Sequence, residues 1–223
     1  GDYRTEVGYM GCRTRVMSDV TDLNNQTTGG RGNLSFTSIN LPRIAIKHGI
    51  CLKERAKADM DGFYKELGET LELVKDQLLE RFEIQCNKRC YNFPFLIQQG
   101  VWTDGDKLKP TDRMRKVLKH GSLTLGFIGL AETLKALIGE HHGESEKAQK
   151  LGLEIIEFMR KKCDEFCEQY NLNFSLIATP AEGLSGRFTR IDKKVFGEIK
   201  GITDKEYYTN SFHIPVYHNI SAF

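Results

Sequence analysis

The chain has 223 residues, 39% of them apolar and 28% charged, with a formal net charge of +2. That balance supports a buried core and excludes a disordered segment, and the small charge, with no basic block, gives no footprint for nucleic acid. No stretch approaches the ~18 apolar residues of a membrane span, and the N-terminus, GDYRTEVGYM, has neither the basic start nor the apolar run of a signal peptide.

Residues 1–40 are rich in glycine and threonine and read as loop, most densely in QTTGGRGNLSFTSIN. LPRIAIKHG then predicts one short helix closed by Gly49. Met60, Phe63, Leu67, Leu71, Val74, Leu78, Phe82 and Cys86 recur at steps of three or four, which places them on one face of a long helix. The polar stretch TDGDKLKPTDRMRK (103–116) reads as a surface excursion. SLTLGFIGL (122–130) predicts a buried strand or strand-turn, and AETLKALIG a short helix ended by Gly139. Ala148, Leu151, Ile155, Met159, Cys163, Phe166 and Tyr170 mark a second long helix, and NFSLIA (173–178) a short buried strand. Helices alternating with short apolar strands give an α/β fold with a largely parallel sheet or barrel. No internal repeat or linker divides the chain, so a single domain over 1–223 is expected. The C-terminus, FHIPVYHNISAF, stops on apolar residues as a cut chain would.

Six cysteines are too few for a disulfide scaffold. Free thiols in a reducing cytoplasm are expected, with the N-x-S/T sequences at Asn25, Asn33, Asn173 and Asn219 arising by chance. Cys86/Cys90 and Cys163/Cys167 have i, i+4 spacing that a zinc site could use. Cys86 and Cys163, however, continue apolar helix faces, where a thiol acts as a small hydrophobe. Cys51 has no partner at metal-ligand spacing. Cys12 differs, because GYMGCRTRV places it between glycines and arginines that suit a tight loop and favour a thiolate. A nucleophile and an incidental loop cysteine both fit that pattern. TTGGRGNLS matches no phosphate-loop spacing, and Asn33 at its end is an amide able to donate and accept. In IATPAEGLSGRF a buried strand runs through Thr179 and Pro180 into a helix beginning at Ala181. The free N–H groups of such a first turn can hold an anion, and Gly183 and Gly186 allow close approach. Glu182 suits the helix dipole but repels a phosphate beside it, so an ordinary strand-to-helix turn fits equally. GEHHGESE (139–146) reads as a polar loop between helices rather than a metal site, and no metal ligand is assigned.

GYMGCRTRV, GRGNLSFTSINLPRIAI, NFPFLIQQGVW, GFIGLAETLKALIGEHHGES, ATPAEGLSGRF and TDKEYYTNSFHIPV together resemble, in order along essentially the whole chain, the anaerobic (class III) ribonucleoside-triphosphate reductases. The resemblance implies part of a ten-stranded α/β barrel in a glycyl-radical enzyme that reduces ribonucleoside triphosphates to 2′-deoxyribonucleoside triphosphates. Residues 1–40 would hold the finger loop and the loop after it, and 41–223 the alternating helices and strands. Cys12 falls on the finger-loop cysteine, which becomes a thiyl radical and abstracts the ribose 3′-hydrogen. Asn33 falls on the amide that binds the ribose hydroxyls, and Thr179, Ala181, Gly183, Leu184 and Ser185 on the phosphate-holding turn. Glu182 is carried over only as a neighbour of that turn.

The family also brings a glycyl radical installed by an S-adenosylmethionine/iron–sulfur activase, a structural four-cysteine zinc site, formate or a thiol protein as reductant, a homodimer and a cytoplasmic location. Neither the glycyl-radical motif nor the zinc motif occurs here, and the N-terminal allosteric region has no counterpart. The chain is therefore expected to be a central piece of the barrel, inactive alone and with no cofactor of its own. Another glycyl-radical enzyme and a non-catalytic nucleotide-binding module are the alternatives.

Overall fold

The computed structural model describes residues 8–10, 14–16, 18–210 and 212–221. The strands are β1 (Gly8–Met10), β2 (Thr14–Val16), β3 (Asn33–Asn40), β4 (Ser122–Ile128) and β5 (Asn173–Ala178). The helices are α1 (Leu41–His48), α2 (Met60–Cys86), α3 (Pro94–Gln98), α4 (Arg115–Leu118), α5 (Leu130–Ile138), α6 (Glu146–Tyr170) and α7 (Glu182–Phe196). The chain forms two compact units, the first from residues 1–37, 72–125 and 160–177 and the second from 38–71, 126–159 and 178–223.

β1 and β2 pair antiparallel, with Tyr9 opposite Arg15. The other strands form a sheet in the order β3-β4-β5. Its hydrogen bonds set like ends side by side. Ser122 N–H donates to Gly32 O (2.9 Å) where β3 and β4 begin, and Thr179 N–H to Phe127 O (3.0 Å) where β4 and β5 end. The strands are thus parallel, and parallel neighbours need long crossovers, which the helices supply. All seven residues of β4 are buried, as expected of a strand covered on both faces. The α/β expectation holds, and the helices predicted at 41–49, 60–86, 131–139 and 148–170 appear at those places.

The expectation of loop over residues 1–40 fails where strands form: residues 8–10 and 14–16 pair as β1 and β2, and residues 33–40 form β3. Glycines and threonines dominate the segment before it and hide the strand. Pairing with the buried β4 supplies what local propensity does not.

In the first unit, the buried face of α2 comprises Val74, Leu78, Phe82 and Cys86, and that of α6 comprises Cys163 and Phe166. Lys75 is buried among them, with its ammonium 5.7 Å from the Phe166 ring and 5.3 Å from that of Tyr170. Glu72 and Asp76 neutralise it at 3.0 and 2.9 Å.

In the second unit, Phe63, Leu67 and Leu71 of α2 are fully buried, as are Ile155 and Met159 of α6. α1 starts at Asn40, whose side chain accepts from Arg43 N–H, and ends at Gly49. α1 and α5 pack closely because Gly49 has no side chain: an added Cβ would lie 2.0 Å from Ala136 O, and Ile50 N–H donates to that same oxygen. Gly139 ends α5 in the left-handed conformation (φ 84°) with open space around it.

These two glycines separate two costs. Gly49→Ala is expected to lower the unfolding free energy by about 3 kcal/mol, since backbone must move, and Gly139→Ala by about 1 kcal/mol, from conformational strain alone. Urea unfolding of the two variants measures both. Equal losses would show that the α1–α5 approach is not tight.

Candidate active site

The turn leaving β5 has the features of an anion seat. Thr179 continues the ladder to β4 and its hydroxyl meets Ser38 Oγ at 2.7 Å. Pro180 precedes the cap instead of opening the helix. The cap residue is Ala181, whose side chain cannot cap, and α7 opens at Glu182. Ser185 N–H donates to Ala181 O (2.9 Å) as the first helical bond. The N–H groups of Glu182, Gly183 and Leu184 therefore have no acceptor within the helix. Ala181 N–H donates to Asn210 Oδ1 at 3.4 Å. The Ser185 hydroxyl is directed to Glu182 O (2.8 Å), and Ser185 is buried. Glu182 and Gly183 are exposed at the mouth.

Buried polar groups hold this turn in place. Asp192 of α7 has no solvent exposure, and Arg43 Nε (2.7 Å), Asn40 Nδ2 (2.7 Å) and the Tyr208 hydroxyl (2.8 Å) all donate to it. Burial, then the Asp192 charge, pushes the Tyr208 phenol above its ordinary range. Next along the chain, Thr209 donates through N–H and hydroxyl to Glu132 Oε1 at 2.9 and 2.7 Å. Burial raises the Glu132 carboxyl pKa against those bonds. Tyr208, Thr209 and Asn210 are thus tied in succession to α7, α5 and the turn.

Asn33 lies in the first unit as the first residue of β3, half-buried, with Oδ1 enclosed and without a hydrogen-bond partner among the described residues. Ser35, two residues on and so on the same face of the strand, has a buried hydroxyl in the same condition. Cys12 lies outside the described residues. The Thr179–Ser185 positions come together, then, while Asn33 is placed in the other unit.

Sequence reasoning missed a second buried network, in the first unit. Asp19 accepts from His120 Nδ1 (2.7 Å), Asn173 Nδ2 (3.0 Å) and Thr21 N–H (2.9 Å). Val20 N–H in turn donates to Asn173 Oδ1 (2.9 Å). Burial alone would raise the Asp19 carboxyl, and the bonds from Asn173, His120 and Thr21 outweigh it and hold the pKa below the usual range. These residues are far apart in sequence and share no motif spacing, so only Asn173, at the start of a predicted strand, carried any signal.

Among the described residues the cysteine pairs belong to no cluster of three or more metal-ligating side chains. Burial pushes the Cys86 thiol up to about 11 and that of Cys163 to about 12, so both stay protonated. His141, Glu144 and His218 bring ligand-type atoms within 4.8 Å of one another. Gly143 N–H, however, donates to His141 Nδ1 (3.1 Å), which leaves the ring proton on Nε2, and Lys135 sits 3.0 Å from Glu144 Oε1. A cation would have to displace both, so the trio acts as a polar clasp. As expected, residues 139–146 bridge two helices.

A family model described as anaerobic ribonucleoside-triphosphate reductase matches residues 1–223. The chain belongs to this family. It is 36% identical over 226 residues to the anaerobic ribonucleoside-triphosphate reductase of Salmonella typhimurium, covering 100% of this chain and 30% of the relative. It is 33% identical over 219 residues to that of Enterobacteria phage T4, covering 97% of this chain and 34% of the relative. The chain thus spans about a third of the length of these relatives. Among solved structures, the anaerobic ribonucleotide reductase from Thermotoga maritima with citrate in the active site superposes with a TM-score of 0.61, at 20% identity, over 85% of this chain and 31% of that one. The structure of the same enzyme in complex with dATP and CTP gives 0.54, at 18% identity, over 78% and 26%. At such identities the likeness establishes the fold, that of an α/β segment of the reductase barrel. Among the described residues no helix is long and apolar enough to cross a membrane.

Two outcomes follow from the buried groups. Removing the Asp192 carboxylate leaves buried donors unpaired, so Asp192→Ala is expected to cost about 3 kcal/mol in urea unfolding and Asp192→Asn clearly less. Burial lowers the His141 pKa to about 4 from 6.5. The unfolded chain therefore binds the extra proton first, and stability is full above pH 6.5 and falls as the pH drops toward 4. His141→Gln should flatten that part of the stability–pH curve. An unchanged slope would assign the acid loss to other groups.

Proposed function

We propose that the protein containing this chain reduces ribonucleoside triphosphates to 2′-deoxyribonucleoside triphosphates under anaerobic conditions. The observation that carries this reading is the α7 N-terminus, with three N–H groups unused by the helix in a chain matched over its full length by the family model. In this reading the N–H groups of Glu182, Gly183 and Leu184 hold the substrate phosphates. Asn33, whose enclosed Oδ1 lacks a partner among the described residues, accepts from a ribose hydroxyl. Cys12 supplies the reacting sulfur. A glycyl radical elsewhere in the full-length protein would take the hydrogen atom of the Cys12 thiol and leave the radical on sulfur. The sulfur then takes the 3′-hydrogen atom, so that one S–H bond forms as one C–H bond breaks and the unpaired electron passes to C3′. Loss of the 2′-hydroxyl as water, delivery of two electrons and two protons by formate or a thiol protein, and return of the hydrogen atom from Cys12 to C3′ would complete the change.

The activase that installs the radical, the structural zinc, a homodimer and a cytoplasmic location belong to the same reading. The α7 dipole and its N–H groups favour the phosphate, while Glu182 opposes it at the first turn, and Asp204 and Glu206 line the same groove together with Arg190, Lys193 and Lys205.

The test is electron paramagnetic resonance with turnover in the anaerobically activated full-length protein. Cys12→Ala should keep the glycyl doublet and lose CTP reduction altogether. Asn33→Ala should keep the doublet and reduce turnover by about tenfold to a hundredfold, the loss of an oriented polar contact. Reduction persisting without the thiol would remove Cys12 from the chemistry.

A further inference from the structure

We infer that Arg31 is a positioning residue, which fixes the backbone entering β3 so that the Asn33 amide is set to meet the ribose; this rests on the reading of Asn33 given above. The three residues before Asn33 are each held from elsewhere in the first unit. Gly30, in the left-handed conformation (φ 71°), accepts from Thr103 N–H through its carbonyl at 2.7 Å. Gly32 O accepts from Ser122 N–H at 2.9 Å. Between them, Arg31 is buried, with 3% of its side chain exposed, and it binds backbone rather than solvent. Its Nε donates to His120 O and its Nη1 to Thr27 O, both at 3.0 Å. A single guanidinium thus joins the loop before β3 to the segment leading into β4. That segment approaches closely: a Cβ added at Gly121 would lie 3.0 Å from Gly32 O and 2.6 Å from Leu34 Cγ.

A buried guanidinium is costly unless a carboxylate answers it. Asp19 lies 3.8 Å from Arg31 Nε and is itself held by His120, Asn173 and Thr21. The buried Asp19 network therefore ends, through Arg31, two residues before Asn33. On the other side of Asn33, Gln85 Nε2 donates to Leu34 O at 3.3 Å. The backbone is held before and after Asn33, yet its side-chain Oδ1 is enclosed without a partner among the described residues. Buried acceptors in folded proteins are normally satisfied. A fixed backbone carrying an unsatisfied acceptor is the arrangement of a preorganised contact, in which ordering is complete before the ligand arrives. Arg31 touches no substrate in this scheme. It acts through Asn33, by keeping the start of β3 against the start of β4.

The experiment is a double-mutant cycle in the anaerobically activated full-length protein, with Arg31→Lys, Asn33→Ala and the two together. It is read by kcat/KM for CTP, and by equilibrium CTP binding for any variant without turnover. Lysine keeps a charge beside Asp19 but loses the planar fork that spans two carbonyls. Arg31→Gln runs the same cycle should the lysine variant not fold. The expected result is a loss of about tenfold for Arg31→Lys, the effect of one misplaced hydrogen bond. In the Asn33→Ala background the same substitution should cost less than about twofold, because the group it positions is gone. Losses that add in the double variant, or no loss for Arg31→Lys, would overturn the positioning role while leaving the sugar contact of Asn33 intact. Unchanged kcat/KM in Asn33→Ala alone would remove the sugar reading of Asn33, and the role of Arg31 with it.

Discussion

A carboxylate shut away from water has to be answered by donors, and Asp192 is answered by three from separate parts of the chain. Asn40 closes β3 and caps α1, Arg43 lies in the first turn of α1, and Tyr208 belongs to the segment after α7. Because an unpaired buried charge is far costlier than a paired one, these elements cannot shift independently without exposing or orphaning one of the four groups. The orientation of α7 is thereby fixed, and with it the direction in which its first N–H groups point. The turn proposed to hold phosphate is built on a helix held by its interior side, which leaves its first residues, Glu182 and Gly183, exposed.

The segment 208–210 shows how the same constraint spreads. Tyr208 answers Asp192, Thr209 answers Glu132, and Asn210 meets the backbone of the turn. Glu132 is a buried acid whose pKa is raised by burial, so its proton stays on more readily than in water. Within the second unit, polar groups that would be liabilities in an apolar core are therefore the means of fixing loop backbone. The first unit uses the same device at Asp19, where His120, Asn173 and Thr21 converge on a carboxylate in the segment following β2.

Much of this was legible in the residues. α2 and α6 declare themselves through long repeats of apolar side chains, and Phe63, Leu67, Leu71, Ile155 and Met159 are buried as that pattern requires. The glycines closing α1 and α5 mark their ends correctly. The run from Ser122 reads as a buried strand because a parallel strand is apolar on both faces. The turn after Ala178 shows itself as a strand end followed by proline and glycines, although the cap falls on Ala181 and the proline stands outside the helix. β3 was missed, since its weak alternation follows glycine and threonine and a strand of that kind is stabilised by its neighbour.

The candidate site divides along the same line. Cys12 and Asn33 were singled out through segments that resemble a family, and the match of the family model over residues 1–223 bears out that resemblance. Asp192, Tyr208, Glu132 and the Asp19–His120–Asn173 group had no comparable mark, because hydrogen bonds between residues up to 154 positions apart leave no periodicity and no spacing. The sequence by itself determined the helices, the buried strands and the family, since these depend on local periodicity and on ordered runs of residues. Only the tertiary structure decided which polar side chains are buried and which backbone N–H groups remain free at the turn. Those outcomes depend on which distant donors reach a given acceptor, a relation that exists only once the chain has folded.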